Sequence, residues 1–155
     1  KSQLGTLPLL PAAAADLASI AMDKLSRYCP KLKYDDISDI ADLLLTNPNY
    51  EKSAFAKGQL LIAKGFAEAE QDNISKAIEL FVDSFRIDPN LDTAFTATSL
   101  MSNAMEHRRA AEFLSEVRKQ APPGFVGRLI WLQRVDAFDQ ILEQSRLIDE
   151  ARINE

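Results

Sequence analysis

Apolar residues recur at steps of three and four along most of the chain, which is the spacing of amphipathic helices. Alternation of apolar and polar residues, which would indicate strands, never continues for more than a few positions. The sequence therefore predicts an all-α protein of antiparallel neighbouring helices joined by short turns. The predicted helices cover about residues 12–28, 36–46, 51–70, 75–87, 92–105, 108–120 and 128–152.

Proline-containing breaks separate these segments. Cys29-Pro30 ends the first helix, Asn47-Pro48-Asn49 the second, and Asp88-Pro89-Asn90 the fourth. Pro122-Pro123-Gly124 is the strongest break and precedes the last helix. That helix is expected to bury one apolar set, namely Leu132, Val135, Phe138 and Leu142, with Leu147 or Ile148 as further candidates.

Two of these prolines, Pro89 and Pro122, lie 33 residues apart, and a pair of helices with a tight polar turn precedes each of them. The first pair follows a recognisable order of residue types: a large apolar residue, a glycine, an alanine, an aromatic residue, a small residue and the proline. These are Leu61, Gly65, Ala77, Phe81, Ser84 and Pro89. Residues 58–90 thereby resemble the tetratricopeptide repeat (TPR), a helix-turn-helix of about 34 residues. Glu68 departs from the pattern, which usually has Tyr there.

Residues 91–123 resemble a second, weaker repeat. Ala110, Leu114 and Pro122 fit the pattern, whereas Thr98 stands in place of the glycine and Met101 in place of the Tyr. The resemblance implies a TPR-like α-solenoid, a short right-handed superhelix with a concave face lined by first helices. We expect one α-helical domain over 1–155, with an N-terminal helix pair at 12–50 and a C-terminal capping helix at 124–155 that covers the open apolar end.

The resemblance also implies a partner-binding groove along the first helix of each repeat. The corresponding residues are Gln59, Ile62, Phe66, Ala69, Glu70, Asp92, Phe95, Ser99, Ser102 and Asn103. Because this set contains no Lys or Arg, a clamp for a partner's C-terminal carboxylate is disfavoured. Phe66 and Phe95 are the candidate anchors for a peptide or helix. The alternative is that both phenylalanines pack against the flanking helices and leave no open groove.

Composition narrows the function further. One Cys, one His and five Gly leave no room for a disulfide, a Cys- or His-based metal cage or a glycine-rich phosphate loop. A net charge of -5 argues against binding nucleic acid through phosphates. No stretch is long and apolar enough to span a membrane. We therefore predict no catalytic residue, no metal and no cofactor.

Several single residues are expected to have structural rather than functional roles. We expect His107 to be an exposed turn residue beside Arg108 and Arg109, and Cys29 to be a structural cysteine. Asp35, Asp36, Asp39 and Asp42 are read as a helix start with an acidic face rather than a metal site, since a calcium loop would need a Gly turn and a closing Glu. Trp131 and Phe125 are expected to anchor the last helix.

The leading hypothesis is a non-catalytic protein-interaction or scaffolding module that binds another protein or peptide. One alternative is a regulatory or substrate-positioning appendage of an enzyme, as in bacterial envelope proteins that handle glycans or pili. Another is homo-oligomerisation through the helix at 128–152. Because the chain starts at Lys1 without a signal peptide, we expect a soluble segment of a longer protein, cytoplasmic or periplasmic, with any membrane tether outside it.

Overall fold

A computed structural model describes residues 34–48 and 53–154, with side chains from Asp36 onward. This part of the chain forms six helices and no strand, which confirms the all-α prediction. The predicted helix at 12–28 and Cys29 lie outside the described residues. The helices are α1 (Tyr34–Leu45), α2 (Ala54–Glu70), α3 (Ile74–Ile87), α4 (Leu91–Asn103), α5 (His107–Lys119) and α6 (Phe125–Ile153).

The chain divides into two compact units on either side of the Asp88–Pro89 bond. In the first unit, α2 packs against both α1 and α3. In the second, α4 and α5 form a hairpin, and α6 packs against both of them. The division falls close to the boundary between the two predicted repeats.

Both hairpins close with the same turn, displaced by 33 residues. Asp72 and Met105 adopt left-handed backbone conformations, with φ of 64° and 62°. In the first turn the Asn73 amide donates to the Glu68 carbonyl at 2.9 Å, and in the second the Glu106 amide donates to the Met101 carbonyl at 2.8 Å. A left-handed residue followed by such a six-residue hydrogen bond is a Schellman motif, which ends a helix and reverses the chain.

Small residues bring α2 and α3 close together. A Cβ atom added to Gly65 would lie 3.0 Å from the ring of Phe81, which is fully buried. Near the other end of the hairpin, the Ser84 hydroxyl donates a 2.8 Å hydrogen bond to the Gly58 carbonyl. The predicted reason for a glycine at 65, a close helix crossing filled by Phe81, therefore agrees with the geometry.

In the second hairpin, Thr98 stands in place of that glycine. The Thr98 side chain is fully buried, and its hydroxyl donates to the carbonyl of Ala94 in its own helix at 3.0 Å. Opposite it, α5 buries Phe113, Leu114 and Val117.

Helix α6 covers the second hairpin with residues spaced four and three apart. Val135 is fully buried, and the Trp131 indole donates to the Val117 carbonyl at 2.9 Å. The prediction that Trp131 anchors this helix agrees with that contact. Phe125, in contrast, is 83% exposed, so its predicted anchoring role is wrong. It is the first residue of α6 and precedes the part of the helix that touches the hairpin.

Candidate functional site

The predicted groove residues of α2 share one side of that helix. Gln59, Ile62, Phe66, Ala69 and Glu70 follow one another at helical spacing, and each is half-buried or exposed. Phe66 is 44% exposed, and its ring meets the Phe81 ring edge-on at a centroid distance of 5.0 Å. Phe81 thus contacts one side of the Phe66 ring, and the rest of the Phe66 ring is accessible to a ligand.

Phe55 extends the same side of α2 by one turn and was missed at the sequence level. It precedes Gln59 by four positions and is 52% exposed. The spacing of Phe55, Ile62 and Phe66 is the signal that identifies it, since steps of seven and four return to one helix face. We call Phe55, Gln59, Ile62, Phe66, Ala69 and Glu70 the α2 face.

The groove residues predicted on α4 have a different environment, because α6 lies against them. Phe95 stacks on Phe138 of α6, with ring centroids 4.3 Å apart and planes inclined by 19°. The Arg134 guanidinium carbon lies 5.6 Å from the Phe95 ring centroid, and Arg134 also donates to the Asp92 carboxylate at 3.0 Å. Phe95 therefore has the environment expected for packing on the C-terminal helix.

Further along α4, Ser99 is half-buried, Asn103 is exposed and Ser102 is buried. The Ser102 hydroxyl donates to the Ser145 hydroxyl at 3.3 Å and lies 3.5 Å from Nδ1 of His107. Nε2 of His107 lies 3.0 Å from an Asp149 carboxylate oxygen, at ion-pair distance but without the alignment of a hydrogen bond.

The prediction that His107 is an exposed turn residue is wrong. His107 is the first residue of α5, and its side chain is only 16% exposed because it lies between Ser102 of α4 and Asp149 of α6. No local pattern indicates this contact, since Asp149 lies 42 positions further along the chain.

Ser102, His107 and Asp149 are the residue types of a hydrolytic triad, but their geometry is unsuited to that chemistry. A nucleophilic hydroxyl must be open to substrate and lie near its base, at about 2.6–3.2 Å or somewhat further in the absence of substrate. Ser102 is buried, and its hydroxyl lies 3.5 Å from the His107 ring. The cluster instead links α4, α5 and α6 through polar side chains.

Glu68, the residue that departs from the repeat pattern, is a buried carboxylate in the first unit. It accepts hydrogen bonds from Asn73 at 2.8 Å and Ser38 at 3.4 Å, and pairs with Lys76 at 3.2 Å. The Asn73 hydrogen bond, together with Lys76, holds the pKa of Glu68 below its ordinary value of 4.5 even though burial opposes ionisation. Glu68 thus connects α1, α2 and α3.

An open pocket of about 510 Å³ lies beside this carboxylate, and residues 72–76 form the rest of its wall. Because Glu68 already bonds to three side chains, little of its hydrogen-bonding capacity remains for a ligand. The α2 face is therefore the stronger candidate in the first unit.

Among the described residues, no group of three or more His, Cys, Asp or Glu side chains is placed to hold a metal ion. The side chain of Asp35 lies outside the described residues, while Asp42 of the acidic helix start pairs with Lys64 at 2.6 Å.

Within the part of the chain that the structure describes, no helix is long and apolar enough to cross a membrane. Comparison of the chain with protein-family models, curated proteins and solved structures finds no match.

Proposed function

We propose that this chain is a non-catalytic protein-interaction module, built from TPR-like helical hairpins, that binds a peptide or helix of a partner protein on the α2 face. The observation that carries the proposal is that Phe55 and Phe66 are exposed, and Ile62 half-buried, along one side of a helix whose opposite side is buried. Aromatic and aliphatic side chains at this spacing are the usual anchors of helix and peptide recognition.

The repeated turn supports the TPR-like part of the proposal. Asp72 and Met105 share a left-handed backbone conformation at the repeat distance, and each closes its hairpin with the same Schellman motif. The close contact between Gly65 and Phe81 is also what the repeat pattern requires of those two positions.

Rigidity of the site favours binding. The Phe66 ring contacts the Phe81 ring edge-on. Because Gly65 has no side chain, the Phe81 ring packs directly against the backbone of α2. An anchor held in place before binding loses less conformational entropy when a partner covers it. Ile62, at the preceding turn, gives the partner a second apolar contact on the same side.

The test is capture of partners from an extract of the source cells, compared between the wild-type chain, Phe66→Ala and Phe125→Ala. Phe125→Ala is the matched control, because it also removes an exposed phenylalanine but lies outside the α2 face. We expect Phe66→Ala alone to weaken capture of a specific protein by at least about tenfold. Equal capture by all three proteins, with all three folded by circular dichroism, would refute the proposal.

Replacing Phe66 by a photo-crosslinking phenylalanine analogue gives a second readout. The α2 face predicts crosslinks from position 66 to the captured protein and none from position 125. Crosslinks from position 125 alone would place the binding surface on α6 instead.

A further inference from the structure

Helix α6 has an inner face that is covered and an outer face that is not. The inner face, which includes Trp131, Val135 and Phe138, packs on the second hairpin. The outer face runs from Val126 to Ala151 in steps of three and four residues, and every residue on it is exposed. None of these residues is Asp, Glu, Lys or Arg.

The outer face is apolar at both ends. Val126, Leu129 and Ile130 lie near its start, and Ile141, Leu147 and Ile148 lie in its second half, with exposures between 47% and 65%. Glutamine and alanine fill the positions between them. At 1.5 Å per residue the face is about 39 Å long. Large apolar patches that remain exposed on a soluble protein are often sites of contact with another protein.

We infer that the outer face of α6 is the interface through which two copies of this chain associate. The partner must offer an uncharged, elongated apolar surface of similar length, and α6 of a second copy is such a surface. In a two-fold dimer the same patch is used on both copies, so aliphatic residues meet aliphatic or glutamine residues and no charge is buried.

The available area is sufficient for a specific dimer. Each of the six aliphatic side chains presents on the order of 100 Å², so two copies would bury about 1,200 Å² from these residues alone. Specific interfaces bury roughly 1,200–2,000 Å² in total, and the alanine and glutamine side chains add to the sum. With these side chains fully buried, the face therefore reaches the lower end of the size range of specific interfaces.

A membrane surface is a less suitable occupant. Helices that lie on membranes carry a polar face rich in Lys and Arg, which attracts anionic lipid. Helix α6 has four arginines against five Asp or Glu residues, so its polar side has no excess of positive charge. The charge balance favours a protein occupant over a lipid one.

Sedimentation velocity of the chain between about 1 and 100 µM tests the inference. We expect the wild type to form dimers within this range. Ile130→Asp and Ile148→Asp should each raise the dissociation constant by at least about 100-fold, because every substitution occurs twice in the interface. Ile153→Asp is the matched control, since Ile153 is also an exposed isoleucine but lies on the opposite side of α6, and it should leave the dimer intact.

A milder variant separates lost association from lost folding. Gln144→Lys places a charge in the middle of the face without removing an aliphatic residue, and should weaken the dimer while leaving the circular dichroism spectrum unchanged. A wild-type chain that remains monomeric at about 100 µM would overturn the inference. So would a monomer that co-sediments with anionic vesicles, or a dimer that survives all three substitutions on the face.

The two proposals fail independently. Substitutions on α6 leave the α2 face intact, so loss of the dimer does not depend on partner capture through Phe66. Conversely, a chain that dimerises but captures no partner supports the α6 interface and refutes the α2 face.

Discussion

The α2–α3 hairpin and helix α6 differ in how closely they pack and in how many of their residues are buried. The hairpin crosses closely, with Gly65 against Phe81 and Gly58 against Ser84, so that both of its helices are largely buried along their shared side. Helix α6 is 29 residues long, yet Val135 is its one buried residue among those described. The hairpin thus stabilises its own unit, whereas α6 leaves much of its apolar surface exposed.

The largest effect should come from removing the centre of the hairpin. Phe81→Ala deletes a fully buried ring and is expected to reduce the free energy of unfolding by about 3–5 kcal/mol. Phe138→Ala, in the half-buried stack on α6, should cost only about 1–2 kcal/mol. Urea denaturation of both variants gives the comparison, and equal losses would show that α6 is as tightly packed as the hairpin.

Gly65→Ala should destabilise the hairpin. The added Cβ atom would meet three atoms of the Phe81 ring at 3.0–3.1 Å, and the buried ring has little space in which to move. Overpacking of this kind costs about 1–3 kcal/mol, while the better helix propensity of alanine returns up to about 1 kcal/mol. We expect a net loss of about 1 kcal/mol in the free energy of unfolding, measured by denaturation; a net gain would show that the crossing is looser than described.

The same substitution in α6 should have the opposite sign. A Cβ atom at Gly127 would lie 3.6 Å from the nearest side-chain atom of Pro122, an ordinary contact distance. Gly127→Ala therefore keeps the propensity gain without the steric cost and should stabilise the chain by about 0.5–1 kcal/mol. Thermal unfolding followed by circular dichroism measures it, and a lower melting temperature would contradict the prediction.

The smallest expected effect is on the pH dependence of stability, which should differ between the buried Glu68 and the exposed Glu143. The pKa of Glu68 lies below 4.5 in the folded state because Asn73 and Lys76 favour its ionised form. Its contribution to stability is therefore complete above the unfolded value near 4.5 and is lost as the pH falls through the lower folded value. We expect the free energy of unfolding to decrease between about pH 6 and pH 3 by less in Glu68→Gln than in the wild type.

Glu143→Gln is the matched control for this pH dependence. The hydrogen bond from Arg146 also lowers the pKa of Glu143, but this pair lies on the exposed side of α6, where solvent screens it. The control should reproduce the wild-type pH dependence of unfolding. If Glu68→Gln and Glu143→Gln behave alike, the buried network around Glu68 contributes nothing specific.

The helix positions could be predicted because apolar spacing and proline breaks determine where a helix begins and ends from residues close in the sequence. The helix predicted at 75–87 is Ile74–Ile87, and the helix predicted at 92–105 is Leu91–Asn103. The helix predicted to begin at Arg128 begins three residues earlier, directly after Gly124, because the Pro-Pro-Gly break ends there. Local rules thus give the elements to within a few residues.

The contacts of α6 could not be predicted in the same way. Leu147 and Ile148 were candidates for the core alongside Val135 and Leu142, yet both are exposed. Apolar residues occur on two opposite sides of this helix, so periodicity identifies two faces without saying which one the hairpin covers. Phe66 and Phe95 were likewise equivalent anchors until Phe138 was found stacked on Phe95 alone.

By itself, the sequence determined an all-α chain, the limits of most of its helices and a 33-residue spacing between two prolines that the two hairpin turns repeat. Only the tertiary structure decided that α6 covers Phe95 and Ser102, that it encloses His107, and that it leaves Ile130 and Ile148 outside. The reason is physical. Helical periodicity depends on neighbours within one turn, whereas the choice of which apolar face is buried depends on residues 14 to 43 positions away.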